Sequence, residues 1–172
     1  MTQAARTTEG PTIDNGPGKV INARMEHVER IHELITYFAE RNRMLFRSLE
    51  ELYQDVRNFR VYVDGQGRVQ GCCGLQVLWR DMAEVKSLAV DPDCQGKGIG
   101  RALVLHAVEE ARELGLPKVF ALTYEREFFL RLGFVEVKKE TLPHKVWTDC
   151  IRCPSQNDCR EVPVVMNLRD GR

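Results

Sequence analysis

The chain has 172 residues, enough for one globular domain with a single hydrophobic core. Lysine and arginine total 25, as do aspartate and glutamate, so the formal net charge is zero. This balance argues against a nucleic-acid partner, since proteins that bind phosphate backbones usually carry a basic excess. The sequence has no apolar run of the roughly 18–20 residues that span a bilayer, and no apolar signal core at its N-terminus. These features predict a cytoplasmic protein with no membrane partner.

The N-terminal third contains the signals of two helices. Residues 1–18 are rich in Thr, Gly and Pro without an apolar period, which predicts a disordered lead-in, and residues 19–172 are predicted to form one domain. A short strand is expected over residues 20–23. Apolar side chains then recur at helical spacing at positions 28, 31, 34, 35 and 38. Ser48 and Glu51 have the spacing of a capping box, which predicts the start of a second helix.

Beyond Phe59 the pattern becomes that of strands. Apolar and polar residues alternate as far as the Asp-Gly-Gln-Gly segment at 64–67, which is a strong hairpin-turn signal. Strands are expected over residues 69–79, 84–90, 118–123, 134–137 and 162–168. Helices are expected over residues 99–113 and 125–132. The order β-α-α-β-β-β-α-β-α-β-β predicts an α/β fold with a mixed sheet.

A glycine-rich turn joins the strand over 84–90 to the helix that follows. The turn and the first helical residues are Gln95, Gly96, Lys97, Gly98, Ile99, Gly100 and Arg101. Backbone N–H groups at a helix start have no intrahelical partner and carry the positive end of the helix dipole. Glycines allow a ligand to approach the backbone closely. The pattern therefore predicts a pyrophosphate site, with further positive charge from Lys97 and Arg101.

Two other phosphate-binding motifs do not fit this turn. A P-loop requires Ser or Thr after Gly-Lys, but Gly96-Lys97 is followed by Gly98. The dinucleotide fingerprint requires a third glycine where Arg101 stands. A glycine-rich turn without other context is also a common structural stop.

The spacing Gln95-x-x-Gly98-x-Gly100, after a strand ending in Leu88-Ala89-Val90, resembles the acetyl-CoA signature of the GNAT superfamily of acetyltransferases. Residues 128–134, Phe-Phe-Leu-Arg-Leu-Gly-Phe, resemble the second motif of that family. The resemblance implies a mostly antiparallel central sheet flanked by helices, with splayed strands at the acetyl-CoA site. It further implies that the amides from Gln95 to Arg101 bind the pyrophosphate, while Leu88, Ala89 and Val90 hydrogen-bond the pantetheine arm.

A wider resemblance covers roughly residues 20–168. The sequence is similar to the short, stand-alone N-acetylglutamate synthases of arginine biosynthesis, which are amino-acid N-acetyltransferases. The matching blocks are residues 44–53, 71–75, 78–79, 83–90, 120–123 and 143–147. This resemblance implies a small amino-acid substrate alongside acetyl-CoA, with acetyl transfer to the α-amine of glutamate.

Acetylating an amino acid requires a base for the ammonium group and cations for the carboxylates. Glu84 and Lys86 lie two apart on a predicted strand, so they share a face about 7 Å apart. Glu84 is the candidate catalytic base, and Lys86 is a candidate ligand for a substrate carboxylate. Arg47, just before the second helix, is the candidate for a bidentate pair with the other carboxylate. An exposed cross-strand pair and a plain surface arginine are the alternatives.

The predicted mechanism is direct attack of the amine on the thioester, with backbone N–H groups near Val90 polarising the carbonyl. Many GNAT enzymes have a tyrosine as general acid in the second motif, where this chain has Phe129. A thiol with an ordinary pKa near ~8.5 is a fair leaving group, so no general acid is assigned. Tyr124 is expected to be a packing residue. Cys94 lies at the phosphate end of the cofactor, which argues against a covalent route.

Two interpretations of the C-terminal cysteines are possible, a metal site or a set of reduced thiols. Cys150, Cys153, Cys159 and His144 are zinc-type ligands, but only one short knuckle is present. The spacing favours three reduced cysteines in a loop over a zinc site. Cys72 and Cys73 are expected to be small buried side chains. His144 and Lys145 are candidates for the rim of the acceptor pocket.

Three functions remain open at this point: N-acetylation of glutamate, acetylation of a peptide or another amine by a GNAT enzyme, and a non-catalytic acyl-CoA-binding sensor. Sequence alone does not separate glutamate from aspartate, glutamine or leucine as the acceptor. A homodimer is expected only because many members of the family form dimers and because two-fold dimers are the commonest oligomers.

Overall fold

The structure is a computed structural model that describes residues 17–143, 147, 148, 150–153 and 159–169. Most of the predicted lead-in, as well as His144 and Lys145, lies outside the described residues. The helices are α1 Val28–Ala39, α2 Leu49–Gln54, α3 Ile99–Glu113 and α4 Arg126–Arg131. The strands are β1 Lys19–Asn22, β2 Phe59–Val63, β3 Val69–Trp79, β4 Met82–Val90, β5 Lys118–Thr123, β6 Val135–Glu136 and β7 Val162–Asn167.

The strands form one seven-stranded sheet in the order β1-β2-β3-β4-β5-β7-β6. Neighbouring strands are antiparallel except for β4 and β5, which run parallel. The β4–β5 pairing covers only Ala83 with Val119 and Glu84 with Phe120. Among the described residues, the two strands therefore diverge after Glu84, which confirms the predicted mixed sheet with splayed strands.

Helices cover both faces of the sheet because each has an apolar side. The buried residues of α3, including Leu103, Ala107 and Ala111, pack with Val85 of β4 and with Phe129 of α4 in one core cluster. On the opposite face, α1 and α2 pack on β2 and β3 in a second cluster. A third, smaller cluster lies near the β5–β7 end of the sheet and includes Met82, Phe120, Leu142 and Val165.

A bulge in β4 controls which side chains share a face. Cys72 is opposite Ala89 and Gly74 is opposite Lys86, so Ser87 and Leu88 together face one residue of β3. Ser87 has a positive φ of 52°, which non-glycine residues seldom adopt. Because of the extra residue, Glu84, Lys86 and Ala89 lie on the α1–α2 face, while Leu88 and Val90 pack toward α3.

The predicted element order is confirmed, and the differences are at element ends. β4 begins at Met82, two residues before the predicted start, and β6 is limited to Val135–Glu136. Where a strand begins and ends depends on which neighbouring strand is available to pair with it, and the local sequence pattern carries no information about that neighbour. Of the helices described, none is both long and apolar enough to cross a membrane.

Candidate active site

The loop between β4 and α3 has the backbone conformation expected of an anion site. Gly96 and Gly98 have φ values of 75° and 81°, in the left-handed region. A Cβ at either position would meet nothing within 4 Å, so glycine is required there by the backbone torsion and not by crowding. The loop begins at Asp91, whose side chain accepts from the amide of Asp93 and pairs with Arg30 of α1.

The amides along this loop are available to a ligand. No backbone N–H from Gln95 to Arg101 donates to another residue in the described part of the chain. The first bond of α3 is from the amide of Ala102 to the carbonyl of Gly98. A Cβ at Gly100 would be 3.5 Å from the Phe128 ring, an ordinary contact, so the interior tolerates a side chain there. The loop thus fits the pyrophosphate group predicted for it.

The exposed backbone edge of β4 leads into this loop. Since β5 pairs with β4 only as far as Glu84, residues 85–90 of β4 have no β5 partner among the described residues. The side-chain amide of Gln95 donates to the carbonyl of Val90, at 3.4 Å, and ties the strand end to the loop. The structure therefore places Leu88–Val90, without a β5 partner, close in the chain to Gln95–Arg101, whose amides make no bond among the described residues; the amides of Asp91, Asp93 and Cys94 between them are bonded.

Glu84 and Lys86 are a nearly buried pair. Each side chain is only 13% exposed, and the Lys86 Nζ lies 3.8 Å from the Glu84 Oε2. Lys86 also donates to the Gln76 Oε1 at 3.0 Å. An exposed cross-strand pair would be solvated, so these burial values contradict that alternative. Burial makes charge interactions with a substrate stronger than they are at the surface.

Arg47 is also buried, at 11% exposure of its side chain, so it is not a plain surface charge. It pairs with Asp55, and its Nε lies 3.8 Å from the Glu51 Oε2. The predicted capping box is confirmed: Ser48 Oγ accepts from the amide of Glu51, and Glu51 accepts from the amide of Ser48. These bonds fix the entry to α2 and with it the position of Arg47.

Arg47 and Lys86 line the same small pocket on the α1–α2 face of the sheet. Its lining residues are Arg47, Asp55, Asn58, Phe59, Gly74, Leu75, Gln76 and Lys86. The pocket gathers residues that flank α2 on either side, together with residues of β2, β3 and β4. Glu84 lies two residues from Lys86 on the same face of β4, so the three candidate acceptor-site residues lie in one region.

Sequence reasoning missed Gln76 and Asp55. Gln76 is the cross-strand neighbour of Glu84 in the β3–β4 hairpin because a bulge between Val77 and Trp79 shifts the register by one residue. The turn alone would have placed Val77 opposite Glu84, so the sequence carried no signal for Gln76. Arg47, Glu51 and Asp55 are spaced four residues apart, the spacing of neighbours on one side of a helix. From that spacing, Asp55 could have been predicted as the partner of Arg47.

The second-motif residues are structural in this chain. Phe129 is 3% exposed, and its ring meets those of Phe128 and Phe134 edge-on at centroid distances of 5.2 and 5.1 Å. Tyr124 lies near Arg43, whose guanidinium is 5.8 Å from the centre of its ring. Burial, followed by the nearby negative charge of Glu161, raises the pKa of Tyr124.

The cysteines divide into two groups. Cys72 and Cys73 are 0% and 1% exposed, which confirms that they are small buried side chains. Cys150, Cys153 and Cys159 are partly buried. Within the described ranges, no group of three or more His, Cys, Asp or Glu side chains could hold a metal ion. His144, the fourth candidate ligand, lies outside those ranges.

Comparison with known proteins identifies the family. Residues 25–134 match the acetyltransferase (GNAT) family. An uncharacterized N-acetyltransferase of Chlorobaculum tepidum is 39% identical over 149 residues, which covers 87% of this chain and 96% of the relative. An amino-acid acetyltransferase of Mycobacterium tuberculosis is 39% identical over 135 residues, 77% of each chain. The chain therefore belongs to the GNAT acetyltransferase family.

Solved structures support the same conclusion. Rv2747 of Mycobacterium tuberculosis, in complex with CoA and NLQ, matches with a TM-score of 0.77 and 33% identity over 87% of this chain and 98% of that one. N-acetylglutamate synthase of Neisseria gonorrhoeae, complexed with coenzyme A and N-acetyl-glutamate, matches with a TM-score of 0.80 and 27% identity. That match covers 88% of this chain and 35% of the other. The predicted GNAT fold and acetyltransferase activity are confirmed, and the coenzyme A in both neighbours agrees with acetyl-CoA as cosubstrate.

Proposed function

We propose that this protein acetylates the α-amine of L-glutamate, using acetyl-CoA, as the first step of arginine biosynthesis. The observation that carries the proposal is the pair of nearly buried cations, Arg47 and Lys86, that line one pocket beside the buried Glu84. Glutamate has two carboxylates, which two separate cations suit, and one amine, which needs a base. Relatives named amino-acid acetyltransferase and a structural neighbour named N-acetylglutamate synthase support this assignment.

The cosubstrate is assigned to the open backbone at the end of β4 and the start of α3. Acetyl-CoA supplies an acetyl group activated as a thioester. The unpaired amides from Gln95 to Arg101 would hold its pyrophosphate, with Lys97 and Arg101 as additional positive charges. The unpaired edge at Leu88, Ala89 and Val90 would hydrogen-bond the pantetheine arm.

Glu84 is assigned the role of general base. Its carboxylate takes a proton from the substrate ammonium, directly or through one water, and leaves a neutral amine that attacks the thioester carbonyl. Backbone N–H groups of β4 beyond Glu84, along the edge that β5 leaves unpaired, would polarise the carbonyl as its oxygen gains charge. The coenzyme thiol leaves without an assigned acid, since a thiol is a moderately good leaving group.

Arg47 and Lys86 are assigned the two substrate carboxylates. Arg47 has five N–H donors, so its ion pair with Asp55 leaves donors for a second carboxylate. Its buried Nε has no hydrogen-bond partner among the described residues. Lys86 contributes a point charge for the other carboxylate, and it donates a hydrogen bond to Gln76. Two cations at different points of the pocket favour a dicarboxylate over a polyamine.

Turnover of acetyl-CoA with a panel of free amino acids, read as acetylated product by mass spectrometry, tests the proposal. We expect glutamate to be preferred, Glu84→Gln to lose most of kcat, and Lys86→Ala and Arg47→Lys to raise the KM for glutamate. Glu109→Gln and Arg112→Ala, on the exposed side of α3, are the matched controls.

Each outcome separates the remaining functions. Acetylation of peptides or other amines without turnover of any free amino acid would overturn the glutamate assignment while leaving the family intact. Binding of acetyl-CoA without turnover of any amine would indicate a sensor. Normal activity in Glu84→Gln would reject Glu84 as the base.

A further inference from the structure

The C-terminal segment has two thiols at the ends of one tight turn. Residues Cys150–Arg152 form a 3-10 turn, and the amide of Cys153 donates to the carbonyl of Cys150 at 3.2 Å. In such a turn the side chains of residues i and i+3 lie on the same side. The Cα atoms of residues joined by this bond are less than about 7 Å apart, close to the range that a disulfide requires.

This turn is anchored near the proposed acceptor site. Trp147, three residues before Cys150, packs on the cluster that contains Met82 and Phe120. Met82 precedes Glu84 by two residues on the same face of β4, and Phe120 is the strand neighbour of Glu84 on β5. The negative charge of Glu84 is among the groups that act on Cys150. The thiol turn therefore lies beside the face that carries Glu84.

The two groups of cysteines differ in accessibility. Cys72 and Cys73 are almost completely buried, and burial raises the pKa of Cys72 to about 12, which makes it unreactive. Cys150, Cys153 and Cys159 are all partly exposed. Burial and then the charge of Glu161 raise the pKa of Cys150 to about 11. The thiolate fraction of Cys150 is therefore small, so we assign Cys150 the second, resolving step, in which a sulfenic sulfur is a more reactive target than a peroxide.

We propose that Cys150 and Cys153 form a dithiol site that hydroperoxides convert into an intramolecular disulfide beside the acceptor pocket. The Cys153 thiolate attacks the peroxide oxygen, giving a sulfenic acid and, from hydrogen peroxide, one water after protonation. The Cys150 sulfur then attacks the sulfenic sulfur, and hydroxide leaves as a second water. The two sulfurs together lose two electrons, which the peroxide gains.

Closing this bond changes the acceptor side of the enzyme. A covalent link between the ends of the turn restricts the segment that Trp147 fixes against Met82 and Phe120. The thiols lie far along the chain from the loop at 95–101, in which the side chains of Gln95 and Lys97 bond to the nearby carbonyls of Val90 and Asp93. Oxidation is therefore expected to raise the KM for the amino acid and to leave acetyl-CoA binding unchanged. This part of the inference rests on the proposed function, whereas the disulfide itself does not.

The test is hydrogen peroxide treatment of the full-length protein, followed by alkylation and non-reducing peptide mapping by mass spectrometry. We expect a Cys150–Cys153 linked peptide, a mass loss of two hydrogen atoms, and reversal by dithiothreitol. Cys150→Ser and Cys153→Ser should each abolish the linked peptide, while Cys94→Ser, outside the segment, should leave it unchanged. Kinetics before and after oxidation then report the effect on the KM.

Three results would overturn the proposal. Alkylation of Cys150 and Cys153 in the oxidised protein would show that no bond forms between them. A bond from either cysteine to Cys159 would assign the chemistry to another pair. Stoichiometric zinc that blocks alkylation before oxidation would make the turn part of a metal site. None of these results depends on the acceptor amine, so the disulfide can fail while the proposed function stands, or the reverse.

Discussion

At the scale of single residues, two glycines with nearly the same torsion allow a matched comparison. Gly98, before α3, has a φ of 81°, and Gly67, in the β2–β3 turn, has a φ of 79°. A Cβ at either would meet nothing within 4 Å. Alanine in this region costs about 1–2 kcal/mol, so the two substitutions should reduce the free energy of unfolding similarly.

Only one of the two should affect ligand binding. We expect Gly98→Ala to weaken acetyl-CoA binding, since the loop amides at Gly98 would shift to relieve the strain, and Gly67→Ala to leave it unchanged. Urea denaturation gives the stability, and isothermal titration gives the dissociation constant. Equal binding by the two variants would remove the loop at 95–101 from the cofactor site.

Gln76 accepts a hydrogen bond from Lys86, the lysine of the Glu84–Lys86 ion pair. Lys86 donates to Gln76 at 3.0 Å and lies 3.8 Å from Glu84. A hydrogen bond to a charged group contributes about 1.5–3 kcal/mol. In Gln76→Leu that bond is lost, and we expect Lys86 to close on Glu84 and lower kcat, because a tightly paired carboxylate is a weaker base.

The same β3 strand provides the control for that variant. Gln70→Leu removes a partly buried hydrogen bond to Asp64 at the other end of the strand and should leave kcat unchanged. Steady-state kinetics with saturating acetyl-CoA separates the two variants. An unchanged kcat in Gln76→Leu would show that the Lys86 position is maintained without it.

At the scale of secondary-structure elements, the start of α2 positions Arg47. Ser48 accepts from the amide of Glu51 at 3.2 Å, and removal of such a cap costs about 1 kcal/mol. We expect Ser48→Ala to lower stability by this amount and to raise the KM for the amino acid, because the residue before the cap is Arg47. Ser48→Asn, which keeps a capping oxygen, should restore both, as measured by urea denaturation and steady-state kinetics.

The cap prediction also tests the role of α2. A loss of stability without a change in the KM would mean that Arg47 is held by its ion pair with Asp55 alone. A change in the acetyl-CoA KM would contradict the separation of the cofactor loop from the acceptor pocket.

At the scale of the whole molecule, a set of largely buried polar side chains joins α3 to the sheet. Arg60 of β2 pairs with Glu110 of α3, and the Nδ1 of His106 is buried without a hydrogen-bond partner among the described residues. Burial, and then the charge of Arg60, lowers the pKa of His106 from its ordinary value of 6.5. Burial raises the pKa of Glu110 above 4.5.

These shifts set the direction of the pH dependence. Below pH 6.5, His106 binds a proton more readily in the unfolded chain than in the folded protein. The free energy of unfolding therefore falls as the pH is lowered through that range. We expect His106→Gln to flatten the decline, as measured by thermal unfolding at a series of pH values. Glu110 acts in the opposite sense, because the stability that it contributes is lost as the pH rises through its raised pKa. Glu110 is present in both the wild-type protein and His106→Gln, so its effect is the same in the two. An identical decline in the variant would assign the effect to other groups.

Much of the fold and the backbone of the loop at 95–101 was predictable from the sequence because both depend on local patterns. The apolar period of α1 and α3, the Asp64–Gly67 turn and the Ser48 cap each act over a few residues. The free amides of the loop follow from a helix start preceded by glycines, wherever the helix packs. Strand ends such as that of β6 were missed, since pairing depends on distant strands.

The arrangement of the proposed acceptor pocket was decided by tertiary structure. Glu84 and Lys86 were predictable as neighbours on one face, but their burial, the approach of Arg47 and the part played by Gln76 required the packing of α2 on the β3–β4 hairpin. The bulge at Ser87 also determines which residues of β4 face α3 and which face the pocket. A shift of one residue in a strand moves every side chain to the other face. The sequence by itself therefore determined the element order and the backbone of the loop at 95–101, because local periodicity and turn torsion specify them, and its motifs carried the resemblance to the GNAT family. Only the tertiary structure determined the charge environment of the acceptor site, because it depends on burial and on contacts between residues far apart in the chain.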